Sequence, residues 1–232
     1  PLIRREDGRY DMDFDQLATV AEGAKMLVLC NPHNPSGRCW SKETLQRLAD
    51  FCLEHNILVV SDEIHADIAL YSAKHVPFAS VSEAARDNSV TFGAPTKTFN
   101  CAGVVSSWAV VPNDKLREPF TKWLFANEID CPPMFSPTVA IAAYRQGGAW
   151  RKEMLRYIEG NIDFAVDYCR EHIPGVVAPR PEASFLIWLD CRALGLSHDE
   201  LNDLFVNEAH LALNDGEMFG AGGEGFMRLN VG

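Results

Sequence analysis

Residues 25–30, Lys-Met-Leu-Val-Leu-Cys, form a short apolar run closed by Asn31-Pro32, which predicts a buried strand and then a turn. Between 41 and 55 the apolar positions Leu45, Leu48, Ala49 and Cys52 follow the i, i+3, i+4, i+7 stripe of an amphipathic helix. Residues 57–61 read as the next buried strand. Strand, helix and strand in close succession make a βαβ unit, which implies a parallel sheet with a right-handed crossover. A third strand, 89–93, follows a stretch with helix potential around 81–86, and a fourth is expected at 104–111. The link between Gly93 and Val104 is too short for a parallel crossover, so the fourth strand is predicted antiparallel to the third.

The second half is richer in helical periodicity. Helices are expected at 113–125 and 137–146, and a long one at 150–172, where Met154, Leu155, Ile158, Ile162, Ala165 and Cys169 keep helical spacing. After Pro174-Gly175 come a strand at 184–190 and a helix starting at Ser197. There Ser197-His198-Asp199-Glu200 has the spacing of a capping box. Strands at 211–213 and over the terminal Phe226-Met227-Arg228-Leu229-Asn230-Val231-Gly232 complete the pattern. The expectation is an α/β fold: a large domain over 1–148 with a mostly parallel sheet, and a smaller α+β domain over 149–232, bridged by the long helix.

Composition narrows the function classes. The 232 residues are 47% hydrophobic and 23% charged, enough apolar material for a sizeable core. A net charge of -11 argues against nucleic acid or an anionic membrane surface as partner. No apolar run approaches the roughly 20 residues of a membrane span. Seven scattered cysteines, odd in number and without a C-x-x-C pair, fit reduced thiols in the cytoplasm better than a disulfide framework. The chain opens without methionine and stops on a strand, the pattern expected of a fragment.

Candidate chemistry gathers at the strand ends. The first strand runs into Asn31-Pro32-His33-Asn34-Pro35-Ser36-Gly37, the second into Asp62-Glu63-Ile64-His65, and the third into Thr96-Lys97. Open α/β sheets bind ligands in the crevice outside those ends. A lysine amine can form a Schiff base with a carbonyl. A carboxylate can hold a pyridine nitrogen protonated, and an asparagine amide can donate to a phenolate oxygen. That combination is what pyridoxal phosphate requires of a protein.

These segments, together with Ala94-Pro95-Thr96-Lys97-Thr98-Phe99-Asn100 and the terminal Arg228-Leu229-Asn230-Val231-Gly232, resemble the motifs of fold-type I pyridoxal-phosphate aminotransferases of class I/II. The histidine after Asp-Glu-Ile and the Thr-Phe-Asn after the lysine are most similar to the cystathionine β-lyase or C–S lyase (MalY/PatB) branch. The resemblance implies that Lys97 carries the cofactor and is the catalytic residue. It implies that Asp62 pairs with the pyridine nitrogen and Asn34 with the ring oxygen. Thr96 then touches the phosphate, His65 lies beside the cofactor, and Arg228 grips the substrate carboxylate with its planar fork. It further implies a homodimer for the full-length form and a small amino acid as substrate. Three departures stand out: His65 replaces a tyrosine common in the family, Val105 a phosphate-holding arginine, and Ala94 a phosphate-binding serine. A glycine-containing loop and a ring-stacking aromatic are expected upstream of Pro1.

Each residue also has an ordinary explanation. Asp62 can cap a helix beginning near Ile64, Asn34-Pro35-Ser36-Gly37 is a good turn by itself, and Arg228 fits an edge strand. His65 with Asp62 and Asp67 suggests a metal-dependent hydrolase, without a fourth ligand. The ordinary explanations are independent of one another, whereas one cofactor accounts for all three strand ends. The expected reaction is β-elimination from cystathionine, cysteine or a cysteine S-conjugate, giving pyruvate, ammonia and a thiol. The alternatives are transamination on the same fold and a non-catalytic fragment.

Overall fold

The βαβ unit lies at the centre of the fold. A computed structural model describes residues 1–232. In chain order, a hairpin of β1 (Leu2–Arg4) and β2 (Tyr10–Met12) leads into α1 (Phe14–Val20) and then β3 (Met26–Cys30). Helix α2 (Lys42–Glu54) connects it to β4 (Leu58–Asp62), and α3 (Glu83–Asp87) precedes β5 (Ser89–Gly93). The short α4 (Pro95–Thr98) follows, then β6 (Trp108–Val110) and three helices, α5 (Asp114–Ala126), α6 (Ser136–Gln146) and α7 (Gly148–His172). The chain finishes with β7 (Leu186–Asp190), α8 (His198–Asp203), β8 (Asn214–Asp215) and β9 (Phe226–Asn230).

The first sheet has the order β3-β4-β5-β6, parallel except for β6, which pairs antiparallel with β5 as its short link requires. Register sets Cys30 beside Asp62 and Asp62 beside Phe92, so the three strand ends are level. Helix α2 starts at Ser41, whose hydroxyl accepts the Thr44 N–H, and lays Leu45, Leu48, Ala49 and Cys52 on one face of the sheet against Leu29, Val59 and Phe78. The opposite face carries Val28 and Val60 and ends in Asp62. The strands therefore alternate in exposure, where a sheet covered on both faces would bury them throughout.

A second sheet, β7-β9-β8, is antiparallel. Its core joins Ile158, Ile162 and Cys169 of α7 to Ile187, Leu189, Leu201 and Met227, and it also takes in Ile68 and Leu70 from the segment after β4. The amino-terminal hairpin ties the two sheets together. Arg4 pairs with Asp190 at 2.9 Å, Trp188 Nε1 donates to Tyr10 Oη at 3.3 Å, and Arg38 Nη1 donates to both oxygens of Glu182 at 2.6 and 2.5 Å.

Two sequence expectations need correction. The strand expected at 104–111 shrinks to Trp108–Val110, because Ala102–Val104 makes a 3-10 turn and Val105 adopts φ +52°. The strand expected at 211–213 is instead Asn214–Asp215. Leu213 packs on the second core while its N–H bonds back to Leu211, so the apolar residues close the core and the polar pair joins the ladder.

Candidate active site

Strand β4 delivers its side chains alternately to two faces. Ser61 and Glu63 point inward, where Glu63 accepts from Ser61 Oγ at 2.8 Å and Phe78 N at 2.9 Å and meets His75 Nε2 at 2.8 Å. This buried carboxylate has partners on both oxygens. Asp62 points the other way, is exposed, and accepts only the Ile64 N–H, at 3.1 Å. Its other oxygen has no protein partner.

His65 is buried under Phe185, with ring centroids 5.8 Å apart, and its Nδ1 has no partner. Burial, aided by the positive charges of Lys97 and Arg228 and opposed by Asp62, pushes the imidazole down to about 4. It is therefore neutral at physiological pH. The same electrostatics bring Asp62, Lys97 and Arg228 within range of one ring, although they come from three elements.

Asn34 is fixed at both ends. Its backbone N–H donates to Cys30 Sγ at 3.3 Å, and its side-chain oxygen accepts from Arg228 Nη1 at 2.9 Å. A guanidinium only donates, so the Asn34 oxygen must face Arg228 and its NH2 must face away. Arg228 Nη2 donates to Asn214 at 2.7 Å, and the guanidinium carbon lies 4.7 Å from the Phe219 ring centroid. Burial lowers the arginine's pKa, and its Nε has no partner.

Lys97 sits on α4, which begins with Pro95 at a helical first position. Thr96 and Thr98 are buried and Lys97 is exposed, lining a cavity of about 270 Å³ with Trp150, Met154, Tyr157 and Phe185. Ala94 is the buried cap before α4. Val105 is 66% exposed, and the Val104 carbonyl accepts Ser136 Oγ at 2.5 Å, so this corner is held through backbone. Asp67 turns to Thr98 at 3.4 Å, and no three metal-ligating side chains of the chain come together. Sequence reasoning missed Cys30, Asn214 and Phe219. Only the strand-end position of Cys30 and the polar pair before the glycine-rich loop hinted at them.

An open, mostly parallel sheet that gathers an amide, a carboxylate, an imidazole and a lysine at its strand ends, closed by an arginine from a second sheet, has the architecture of an α/β enzyme with its ligand at the sheet's carboxyl edge. Residues 4–232 match the family model for aminotransferases of class I and II, and the chain belongs to that family. It is 45% identical over 234 residues to cystathionine beta-lyase PatB of Bacillus subtilis, covering 100% of this chain and 60% of that protein. Protein MalY of Escherichia coli is 29% identical over 233 residues, covering 100% of this chain and 59% of MalY. The crystal structure of cystalysin from Treponema denticola, which contains pyridoxal 5'-phosphate, superposes with a TM-score of 0.93 at 32% identity, covering 99% of this chain and 59% of cystalysin. The chain thus spans about three-fifths of the length of the curated relatives it matches.

Proposed function

We infer that the full-length protein is a pyridoxal 5'-phosphate-dependent carbon–sulfur β-lyase acting on cystathionine, cysteine or cysteine S-conjugates. The observation that carries this reading is the orientation of Asn34. With its oxygen accepting from Arg228, Asn34 keeps its NH2 free to donate, while Lys97, Asp62 and Arg228 all act on the neighbouring His65 ring, a set that a protonated pyridine ring with a phenolate oxygen would take. The unpartnered Nδ1 of buried His65 and the free oxygen of Asp62 fit the same group.

When bound, the cofactor supplies an electron sink for the carbanion left at the substrate α-carbon. Asp62 would hold a proton on the ring nitrogen by a charge-assisted hydrogen bond. Asn34 Nδ2 would donate to the ring oxygen, with neutral His65 alongside, and Thr96 would donate to the phosphate. Arg228 binds the substrate carboxylate bidentately. Lys97 would carry the cofactor and, as a free amine, would take the substrate α-proton as general base. Loss of that proton would let the thiolate leave from the β-carbon, and water would convert the three-carbon remainder to pyruvate and ammonia. A transaminase reading rests on the family description itself; in it Lys97 would move the proton onward with no thiolate leaving, and the amino group would pass to a 2-oxo acid.

Residues 1–148 and 149–232 serve in this reading as the cofactor-binding domain and a smaller substrate-binding domain. A homodimer is supported by α5, which buries no residue and exposes Trp123 and Phe125, and by exposed Met134 and Phe135 just before α6. A cytoplasmic setting fits seven cysteines that are all unpaired. No helix is long and apolar enough to cross a membrane. The test is borohydride reduction of the cofactor-loaded full-length protein, followed by peptide mapping. A pyridoxyl group on Lys97 is expected; attachment to another lysine, or none, overturns the assignment.

A further inference from the structure

The geometry points to Asp215 as a positioning residue for Arg228, holding the two-residue strand β8 so that the guanidinium is aimed at the substrate carboxylate. This rests on the proposed role of Arg228.

Strand β8 is too short to hold its place by ladder bonds alone. It pairs only Asn214 with Arg228 and Asp215 with Met227. What fixes it from the outer side is the Asp215 carboxylate. Its Oδ2 meets His198 Nε2 at 2.8 Å and accepts from Asn202 Nδ2 at 3.2 Å, both on α8. Its Oδ1 accepts the Glu217 N–H at 2.8 Å and starts the turn Gly216–Phe219. One carboxylate therefore ties helix α8, strand β8 and that turn together.

On the inner side the same two segments hold Arg228. Asn214 accepts from Nη2 at 2.7 Å, and the Phe219 ring, itself packed edge-on against Trp188 at 5.3 Å, lies 4.7 Å from the guanidinium carbon. Nη1 goes to Asn34, so the arginine is suspended between the two sheets. Both restraints on its outer half hang from Asp215. The guanidinium Nε has no partner that would replace them.

The anchor is ionic as well as geometric. The hydrogen bond to Asp215 raises the His198 pKa, with Glu217 at 3.8 Å and Asp199 adding to it, and the same pairing lowers that of Asp215. His198 gains a proton in this partnership. The latch is thus complete at low pH and loses its charge pairing as pH rises through the raised His198 value.

The test uses the full-length, pyridoxal-phosphate-loaded protein with S-methyl-L-cysteine as substrate. Asp215→Ala is expected to raise KM about tenfold, the scale of a lost charged hydrogen bond, with kcat within about twofold and the cofactor spectrum unchanged. Binding of 3-(methylthio)propionate, a carboxylate without the amine, should weaken in the same proportion by calorimetry. In the unsubstituted protein KM should rise with pH across the His198 transition. Asp215→Asn, which still accepts the Glu217 N–H but carries no charge, should hold KM near the high-pH value at every pH and so abolish that rise. If Asp215→Ala fails to fold, His198→Gln replaces it, with the same loss of the pH-dependent step expected. Unchanged KM and unchanged carboxylate binding in these variants, while Arg228→Lys weakens both, overturns the role of Asp215 and leaves that of Arg228 standing. If Arg228→Lys also leaves both unchanged, the carboxylate site itself is wrong and the inference falls with it.

Discussion

Asp62 and Glu63 are adjacent carboxylates with opposite surroundings, and their contrast separates structure from chemistry. Glu63 is buried and saturated by Ser61, His75 and the Phe78 amide, so it secures the strand end. Asp62 is exposed and spends one oxygen on the Ile64 amide. An asparagine at 62 can still accept that N–H, so Asp62→Asn isolates the charge. In full-length enzyme we expect kcat to fall by about a hundredfold or more, because the charge stabilises the carbanion-like transition state rather than the bound substrate. Steady-state kinetics with near-normal kcat would reduce Asp62 to a turn cap. His65 yields a second expectation. Its value of about 4, like that of half-buried His33, lies below the ordinary 6.5, so the folded protein takes up fewer protons than the unfolded chain between those limits. Stability is fully present above pH 6.5 and is lost as pH falls towards 4, by on the order of 3 kcal/mol for each ring. Urea unfolding of His65→Gln at a series of pH values should show a shallower acid loss than the unsubstituted protein; superimposable profiles would contradict the buried neutral ring.

At the scale of elements, long periodic segments were readable and short ones were not. The α2 stripe of Leu45, Leu48, Ala49 and Cys52 is the buried face, and Ser197 with Glu200 closes a reciprocal capping box at α8. Each is a local signal that tertiary packing reinforces. The β1–β2 hairpin has three residues per strand, too few to display a period of two. Strand β8 is polar because its side chains serve Arg228 and His198 rather than a core. Asn34 and Arg228 meet across 194 residues, a contact no local pattern encodes. The loop carrying Asn34 is held by Gly37, whose carbonyl accepts the Glu182 and Ala183 amides. Gly37 has φ +66°, and an added Cβ would run into Pro181 and stand 3.0 Å from the Ala183 carbonyl oxygen. Gly37→Ala should therefore cost about 2 kcal/mol or more in urea unfolding, through strain and displaced backbone. A loss below about 0.5 kcal/mol, the range of ordinary surface changes, would show that the loop relaxes freely.

At the scale of the molecule, the site exists because two sheets meet. The parallel sheet supplies Asn34, Asp62, His65 and, past its third strand, Lys97; the antiparallel sheet supplies Arg228. Ties from the hairpin and from Arg38 to Glu182 hold the two at a fixed approach. Family membership fixes this frame, and the branch that cleaves carbon–sulfur bonds is the reading we draw from the site and from relatives such as PatB. The most direct test incubates the full-length, pyridoxal-phosphate-loaded protein with L-cystathionine in the absence of any 2-oxo acid and quantifies the products. A β-lyase releases pyruvate and ammonia in equal amounts over many turnovers. Absence of pyruvate, with turnover appearing only when a 2-oxo acid is added to accept the amino group, would contradict the lyase assignment.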